Sequence, residues 1–199
     1  MDPVAHEHYS DPHHSAYGRT VFGFWIYLLT DFILFGTLFA TYAVLHRSTY
    51  GGPSADQLFD LSSVLQRTLV LLTAAFTAGL AGTAVHRHNK RLTLTFFGVT
   101  FLLGLLFLGM QIREFQCLLN GNHGWEKSAF LSAYFTLLGT FILHLIFALL
   151  WVFVLVIPVC LNGFTGAEIR RLTCLKMFWQ FLNIVWIFIF SFVYLMGVK

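Results

Sequence analysis

The chain has 199 residues, of which 57% are hydrophobic and 11% are charged, and its mean hydropathy is +0.73. A soluble domain has about 25% charged residues. The 12 basic and 9 acidic side chains are therefore too few to cover the water-exposed surface of a soluble protein of this size. The 23 phenylalanines suit a lipid-facing surface better than a soluble core. The composition excludes a soluble enzyme and indicates a membrane protein.

The first 20 residues are polar and contain a cluster of histidines: His6, His8, His13 and His14. This segment has no lysine-rich start followed closely by an apolar stretch, so a cleaved secretory signal is not predicted. We interpret residues 1–20 as a polar, His-rich N-terminal tail.

Five long apolar stretches follow the tail. They cover residues 21–45, 68–85, 92–112, 129–159 and 177–198. A membrane-spanning helix needs about 20 apolar residues, and backbone groups in lipid must be hydrogen-bonded internally. The alternating pattern of a membrane β-barrel is missing. The sequence therefore predicts an all-α membrane protein, in which a bundle of five transmembrane helices forms one domain over residues 21–199.

The basic residues near the helix ends predict the orientation of the bundle. One side receives Arg19, Arg87, Lys90, Arg91, Arg170, Arg171 and Lys176. The other side receives Arg47, Arg67, Arg113, Lys127 and Lys199. Cytoplasmic loops carry the excess of Lys and Arg, and the short hinge at 86–91 holds three of these charges. We therefore expect a cytoplasmic N-terminus and a periplasmic C-terminus.

Asp31 is the only charged residue inside any of the five apolar stretches. A carboxylate near the middle of a membrane helix costs about 2.5–3.5 kcal/mol on insertion scales. Two interpretations remain open. Asp31 is either a protonated carboxyl that hydrogen-bonds two helices together, or a site that exchanges protons or contacts a lipid headgroup.

Other polar residues are candidates for contacts between helices. Glu114 follows Arg113 at the end of the third stretch, and adjacent residues on a helix point about 100° apart. We therefore expect each of these two side chains to contact another helix or the headgroups. His144 lies in the fourth stretch, and Gln180 and Asn183 lie in the fifth.

The chain offers no set of metal ligands in the predicted membrane helices. Its cysteines, Cys117, Cys160 and Cys174, are far apart in sequence. Because His144 is the only histidine within an apolar stretch, two axial histidines for a haem are not available there. No catalytic, cofactor-binding or metal-binding residue is predicted.

Small residues recur four apart in the second stretch, where Ala75 precedes Gly79 and Ala78 precedes Gly82. Such pairs let two helix backbones approach closely in lipid. The pattern favours packing within the bundle, and docking on a partner protein is the alternative.

Several stretches together resemble a known family. They are FGFWIYLLTDFILFGTLFATYAVL at 22–45, the pattern G-M-x-I-x-E-F at 109–115, FLSAYF at 130–135, FW-x-F-L-x-x-VW at 178–186 and VYLMG at 193–197. On these residues the chain resembles subunit III of the haem–copper respiratory oxidases, most closely that of the cytochrome bo-type ubiquinol oxidases. The likeness extends over nearly the whole chain, and the five-helix length is similar to the short bacterial form.

The resemblance implies a non-catalytic subunit of a proton-pumping terminal quinol oxidase in the bacterial inner membrane. Haem and copper are then expected in the partner subunits I and II, a small subunit IV is expected beside them, and nucleic acid is not an expected partner. This subunit would bind phospholipid, border the catalytic subunit and support assembly and sustained proton uptake. The intramembrane carboxylate of the family falls on Asp31, its acidic residue at the end of the third helix on Glu114, and its histidine on His144.

The chain departs from the bo-type pattern at several ionisable positions. Gln111 stands where that pattern has Glu, Gln180 where it has His, and Asn183 where it has Asp. These neutral amides favour the structural interpretation of Asp31. Two alternatives to the quinol oxidase remain: subunit III of a cytochrome c oxidase, or a small transporter or channel that uses Asp31 and His144 as its own path.

The predicted orientation can be tested with single cysteines. If the hinge at 86–91 is cytoplasmic, a cysteine in Asn89→Cys should resist membrane-impermeant thiol reagents in intact cells, whereas one in Ser54→Cys should react. Labelling of permeabilised cells is the control for both positions. The reverse pattern would overturn the orientation.

Overall fold

The computed structural model describes residues 12–46, 48, 60–87, 89–121, 124–162 and 165–195. The helices are α1 (Pro12–Leu45), α2 (Leu61–His86), α3 (Lys90–Asn120), α4 (Ala129–Asn162) and α5 (Gly166–Ile189), and α5 continues as a π-helical segment, Phe190–Leu195. All five helices are long and apolar enough to cross a membrane. The prediction of a five-helix all-α bundle is confirmed.

The helices extend beyond the predicted apolar stretches. α1 begins at Pro12, inside the segment interpreted as the polar tail, and residues 1–11 of that tail lie outside the described residues. α2 begins at Leu61 rather than 68. The helices are longer because an apolar stretch in the sequence ends at its first polar residue, whereas a helix continues until its backbone is capped.

Polar side chains cap the helix starts. The Asp60 carboxylate accepts hydrogen bonds from the backbone N–H groups of Ser62 and Ser63, each at 3.2 Å, at the start of α2. Asn89 caps α3 and Thr165 caps α5 in the same way. Such caps satisfy backbone donors that have no partner within the helix, which explains why α5 starts at Gly166 and not at 177.

α5 lies at the centre of the bundle. It contacts α1, α2 and α4, and α2 and α4 each contact α3 as well. Trp186 of α5 is fully buried, with its ring 4.7 Å from that of Phe107 on α3 and 5.3 Å from that of Phe141 on α4. Its indole N–H donates to the Thr68 hydroxyl of α2 at 3.0 Å. One residue therefore joins four helices.

The small residues of α2 pack inside the bundle, as predicted. Ala74, Ala75, Ala78 and Ala81 are buried. A Cβ atom added at Gly82 would overlap the Lys176 side chain of α5. The Lys176 side chain therefore lies directly against Gly82 of α2.

Gly104 of α3 allows a second close approach. A Cβ atom at this position would lie 2.8 Å from Leu149 Cδ2 on α4 and 2.9 Å from Trp179 Cη2 on α5. The residue is buried, and both neighbours belong to the packed core. α3 can therefore settle against α4 and α5 only with glycine here.

We expect Gly104→Ala to destabilise the protein by about 1–3 kcal/mol, because a methyl group would overfill a packed core. Gly109→Ala is the matched control on the same helix, since nothing lies within 4 Å of a Cβ atom there. That control should be neutral or slightly stabilising, because alanine favours a helix more than glycine. The measurement is unfolding of the purified protein by a denaturing detergent, and equal effects of the two substitutions would contradict this packing.

Candidate functional site

A buried polar cluster lies at the end of the bundle where α2 and α4 begin and α3 and α5 end. It consists of Arg67, Gln111, Glu114, Tyr134 and Tyr194, and we call it the Arg67 network. Arg67 is 2% exposed, and Gln111, Tyr134 and Tyr194 are fully buried. Four helices thus contribute polar groups to one apolar interior.

Arg67 and Glu114 form a two-point ion pair. Arg67 Nη2 donates to Glu114 Oε1 at 2.8 Å, and Arg67 Nη1 donates to Glu114 Oε2. Gln111 bridges the pair, because its Oε1 accepts from Arg67 Nη1 at 3.0 Å and its Nε2 donates to Glu114 Oε2 at 2.7 Å. The planar guanidinium matches a carboxylate in this geometry, so both charges are hydrogen-bonded.

Two tyrosines complete the network. The Tyr194 hydroxyl donates to Glu114 Oε2 at 3.3 Å and lies 3.0 Å from the Tyr134 hydroxyl. The Arg67 guanidinium carbon lies 5.8 Å from the Tyr194 ring centroid, within the range of a cation–π contact. Tyr194 belongs to the π-helical segment, and π turns occur frequently at functional sites.

The sequence predicted only part of this network. Glu114 contacts another helix and not its neighbour Arg113, as expected. Arg67, which the sequence places among the basic residues near the helix ends, lies in the second turn of α2 and is buried. The sequence does contain a pattern that predicts this ion pair. Arg67 directly precedes one apolar stretch, and Glu114 closely follows the next one. Two antiparallel helices bring those ends together.

Asp31 and His144 form a second cluster, at the contact between α1 and α4. Asp31 is 8% exposed, and its Oδ1 lies 3.9 Å from His144 Nε2. His144 Nδ1 lies 2.8 Å from the Thr140 carbonyl oxygen. Because a carbonyl only accepts, Nδ1 carries a hydrogen, and Nε2 of the neutral ring is left as an acceptor facing the carboxyl group.

The surroundings of this second cluster are aromatic and leave Asp31 incompletely satisfied. The His144 ring lies 5.2 Å from that of Phe35 and 6.4 Å from that of Phe178. Asp31 Oδ2 is buried and has no hydrogen-bond partner within the described part of the chain. A distance of 3.9 Å exceeds that of a hydrogen bond, so Asp31 does not join α1 to α4 in the way a structural carboxyl would.

Gln180 and Asn183 belong to neither cluster. Gln180 Nε2 donates to the Ala75 carbonyl of α2 at 3.1 Å. Asn183 Oδ1 is buried without a hydrogen-bond partner among the residues that the structure describes. The structure thus brings Asp31 together with His144 and places Glu114 with Arg67, while Gln180 supports the packing of α5 on α2.

The side chains that commonly bind metals do not form a cluster in the described segments. No group of three or more His, Cys, Asp or Glu lies close enough to hold a metal ion in residues 12–46, 48, 60–87, 89–121, 124–162 and 165–195. Cys117 and Cys160 are exposed, Cys174 is buried, and all three are free thiols.

The ion pair predicts a non-additive response to substitution. Arg67→Met and Glu114→Leu should each destabilise the protein by about 3–5 kcal/mol, because each leaves one buried charge unpaired. The double variant should cost less than either single change, since no charge remains. Detergent-induced unfolding of the purified protein measures all three variants. The exposed neighbour provides the control Arg113→Gln, and simple addition of the two single effects would contradict the pairing.

Comparison with known proteins places the chain in a family. The model of the family described as cytochrome c oxidase subunit III matches residues 2–198. A Pseudomonas aeruginosa protein named cytochrome bo(3) ubiquinol oxidase subunit 3 is 48% identical over 194 residues, which are 98% of this chain and 92% of that protein. A Pseudomonas putida protein of the same name is 44% identical, over 93% of this chain and 89% of that protein.

A third relative carries a different name. The Bacillus sp. (strain PS3) protein named cytochrome c oxidase subunit 3 is 39% identical over 175 residues, which are 88% of this chain and 84% of that protein. The family match and the relatives cover nearly the whole bundle, including both polar clusters. The chain belongs to the cytochrome c oxidase subunit III family.

Proposed function

We propose that the chain is the non-catalytic subunit III of a proton-pumping terminal ubiquinol oxidase, which couples quinol oxidation to oxygen reduction in aerobic respiration. The observation that carries this proposal is the 48% identity, over nearly the full chain, to a protein named as a bo(3) ubiquinol oxidase subunit 3. The chain itself supplies structure and proton-related groups rather than a redox centre.

The alternatives have less support. The relative named as a cytochrome c oxidase subunit is less identical to the chain than the two Pseudomonas relatives named as ubiquinol oxidase subunits. An independent transporter or channel is disfavoured by membership of an oxidase-subunit family. The electron donor is therefore proposed to be a quinol.

The partners follow from this role. Oxidase subunits I and II would hold the haem and copper, and a small subunit IV would complete the complex. Most of the surface of α1 is available for contacts with partners or lipid. In the most apolar 18-residue segment of α1, only 22% of the residues are buried inside the bundle, whereas the corresponding share is 50% for α2 and for α5.

Support for sustained proton uptake comes from Asp31 and His144. The two side chains lie at the α1–α4 contact, and Tyr27, one turn before Asp31, lines a cavity together with His144. Ionisable groups inside a membrane are functional candidates because their burial is expensive. The unsatisfied Asp31 Oδ2 argues against a purely structural carboxyl. We therefore favour proton exchange over the structural interpretation.

A bound phospholipid is also part of the proposal. A groove of about 570 Å³ lies between α1, α4 and the start of α5, and its lining includes Tyr27, Trp151, Arg170 and Arg171. Two guanidinium groups at the edge of an apolar groove suit a lipid phosphate above its acyl chains.

The proposed location is the bacterial inner membrane, with a cytoplasmic N-terminus and a periplasmic C-terminus. Lys90 of the basic hinge donates through Nζ to the Cys160 carbonyl near the end of α4 at 2.8 Å. This contact supports a common side for the hinge and the α4–α5 connection, which together carry most of the basic residues counted on the cytoplasmic side.

Purification tests the assignment directly. The chain, tagged and extracted from its own membrane in mild detergent, should bring with it a larger haem-containing partner that a ubiquinol reduces. The measurements are the visible absorption spectrum and the mass of the complex. A colourless preparation would contradict the oxidase assignment, and haem reduced by cytochrome c but not by quinol would favour the alternative donor.

A substitution at Asp31 tests the proton role. Asp31→Asn keeps the shape of the side chain and removes its titration, so the complex should assemble with normal haem content and then lose activity progressively during turnover. Oxygen consumption by the purified complex over many turnovers is the measurement. Thr30→Val is the matched control, because Thr30 is exposed and its hydroxyl donates to the Tyr27 carbonyl of its own helix. Undiminished turnover by the Asn variant would show that the carboxyl is structural.

A further inference from the structure

Tyr27 of α1 lines two cavities. One is the groove of about 570 Å³ between α1, α4 and the start of α5, whose lining includes Arg170 and Arg171. The other is a cavity of about 390 Å³ beside α4, whose lining includes His144. No other described residue lines both. Tyr27 is 41% exposed, whereas Asp31, one turn later on α1, is 8% exposed. Tyr27 therefore lies between the surface of the bundle and the buried carboxyl group.

The groove leads from Tyr27 to one end of the bundle. α1 and α5 begin at that end, where Tyr17 and Arg170 line a common cavity. Within the groove, Thr20 comes first along α1 and Tyr27 comes last. Arginine side chains near helix ends place their charge at the membrane interface. Arg170 and Arg171 therefore mark the hydrated end of the groove, and a phospholipid headgroup held by them would bring its own water there.

The way from Asp31 toward the other end of the bundle is closed within the described residues. Phe35, one turn after Asp31, is buried, with its ring 5.2 Å from that of His144. The groove that Phe35 lines toward α5 has only apolar residues in its lining. The hydroxyls of Thr136 and Thr140 lie on α4 beyond His144, but each donates to a carbonyl of its own helix at 2.8 Å. A proton needs water or free polar groups along its way, because a bare charge in an apolar interior is very costly.

The Tyr27 hydroxyl can pass a proton on, because it both accepts and donates a hydrogen bond. It interacts with the Asp31 carboxyl group. Its ring lies 5.6 Å from that of Phe24 and 6.5 Å from that of Phe178, so aromatic neighbours on α1 and α5 hold it. When a water proton binds to the hydroxyl oxygen, the original hydroxyl proton moves to the Asp31 carboxylate. One O–H bond forms and one breaks at the tyrosine, one forms at the carboxylate, and no electron is transferred.

We propose that Asp31 exchanges its proton with one side of the membrane only, through the Tyr27 hydroxyl and the groove at the end where α1 and α5 begin. This inference rests on the proposed proton role of Asp31 and adds a direction and a relay residue to it. The guanidinium groups in the groove cannot deprotonate. The charged and titratable groups that face Tyr27 are Asp31 on α1, His144 on α4, and Arg170, Arg171 and Cys174 on α5.

Time-resolved infrared spectroscopy after a pH jump tests the relay. The intact complex is placed in lipid nanodiscs, so that both faces meet the solution, and the carboxyl band that disappears in Asp31→Asn reports the protonation of Asp31. Tyr27→Phe should slow the appearance of this band about a hundredfold, the lower range for a positioned proton-transfer group. Its final size at low pH should stay the same, because the carboxyl group is still present.

Tyr42→Phe is the matched control. It makes the same change on the same helix but on the other side of Asp31, where the Tyr42 hydroxyl is buried without a hydrogen-bond partner among the described residues. The Tyr42 ring packs 6.1 Å from that of Phe130. Both the rate and the final size of the Asp31 band should match those of the unchanged complex.

Three results would overturn the inference. An unchanged rate in Tyr27→Phe would exclude the relay and leave the proton role of Asp31 intact. Equal slowing by Tyr42→Phe would show that protons also enter from the other end. A spectrum without any band that Asp31→Asn removes would overturn the proton role together with the relay. The visible spectrum of the same sample reports separately on the oxidase assignment, since that assignment depends on haem in the complex and not on Tyr27.

Discussion

A guanidinium group inside an apolar bundle constrains everything packed around it. The buried Arg67 of α2 is tolerable in lipid only because Glu114 of α3 neutralises it and Gln111 fills the remaining hydrogen-bond positions. The same carboxylate accepts from Tyr194, so the end of α5 is held as well. This interaction fixes which helix ends meet, and it makes the ends of α2, α3 and α5 one rigid unit.

The second polar cluster differs in one physical respect. Both charges of the Arg67 network have close partners, whereas Asp31 Oδ2 has no hydrogen-bond partner among the described residues and Asp31 Oδ1 lies 3.9 Å from His144 Nε2. Fully satisfied buried networks rigidify a structure, and a buried group without a partner requires another explanation. The contrast supports a fold-stabilising role for Arg67 and Glu114, and it supports our proposal of proton exchange at Asp31 and His144.

The sequence predicted the features that depend on local composition. The number of helices follows from the lengths of the apolar stretches, and the packing role of α2 follows from its small residues. Arg67 was missed because it stands one position before an apolar stretch, where hydropathy alone assigns it to a loop. The contact of Gln180 with Ala75 and the pairing of Asp31 with His144 could not be predicted, because they depend on how separate helices are rotated against each other. The π-helical segment that carries Tyr194 could not be predicted either, because its pattern of apolar residues does not differ from that of an α-helix.

We propose that this chain holds no redox centre and that one buried ion pair organises its bundle. A high-resolution cryo-electron microscopy map of the intact oxidase in a lipid bilayer tests both parts in one measurement. The account predicts density joining the Arg67 guanidinium to the Glu114 carboxylate, with every haem and copper ligand supplied by other chains. A metal ligated by a side chain of this subunit, or Arg67 turned away from Glu114 toward the headgroups, would contradict it.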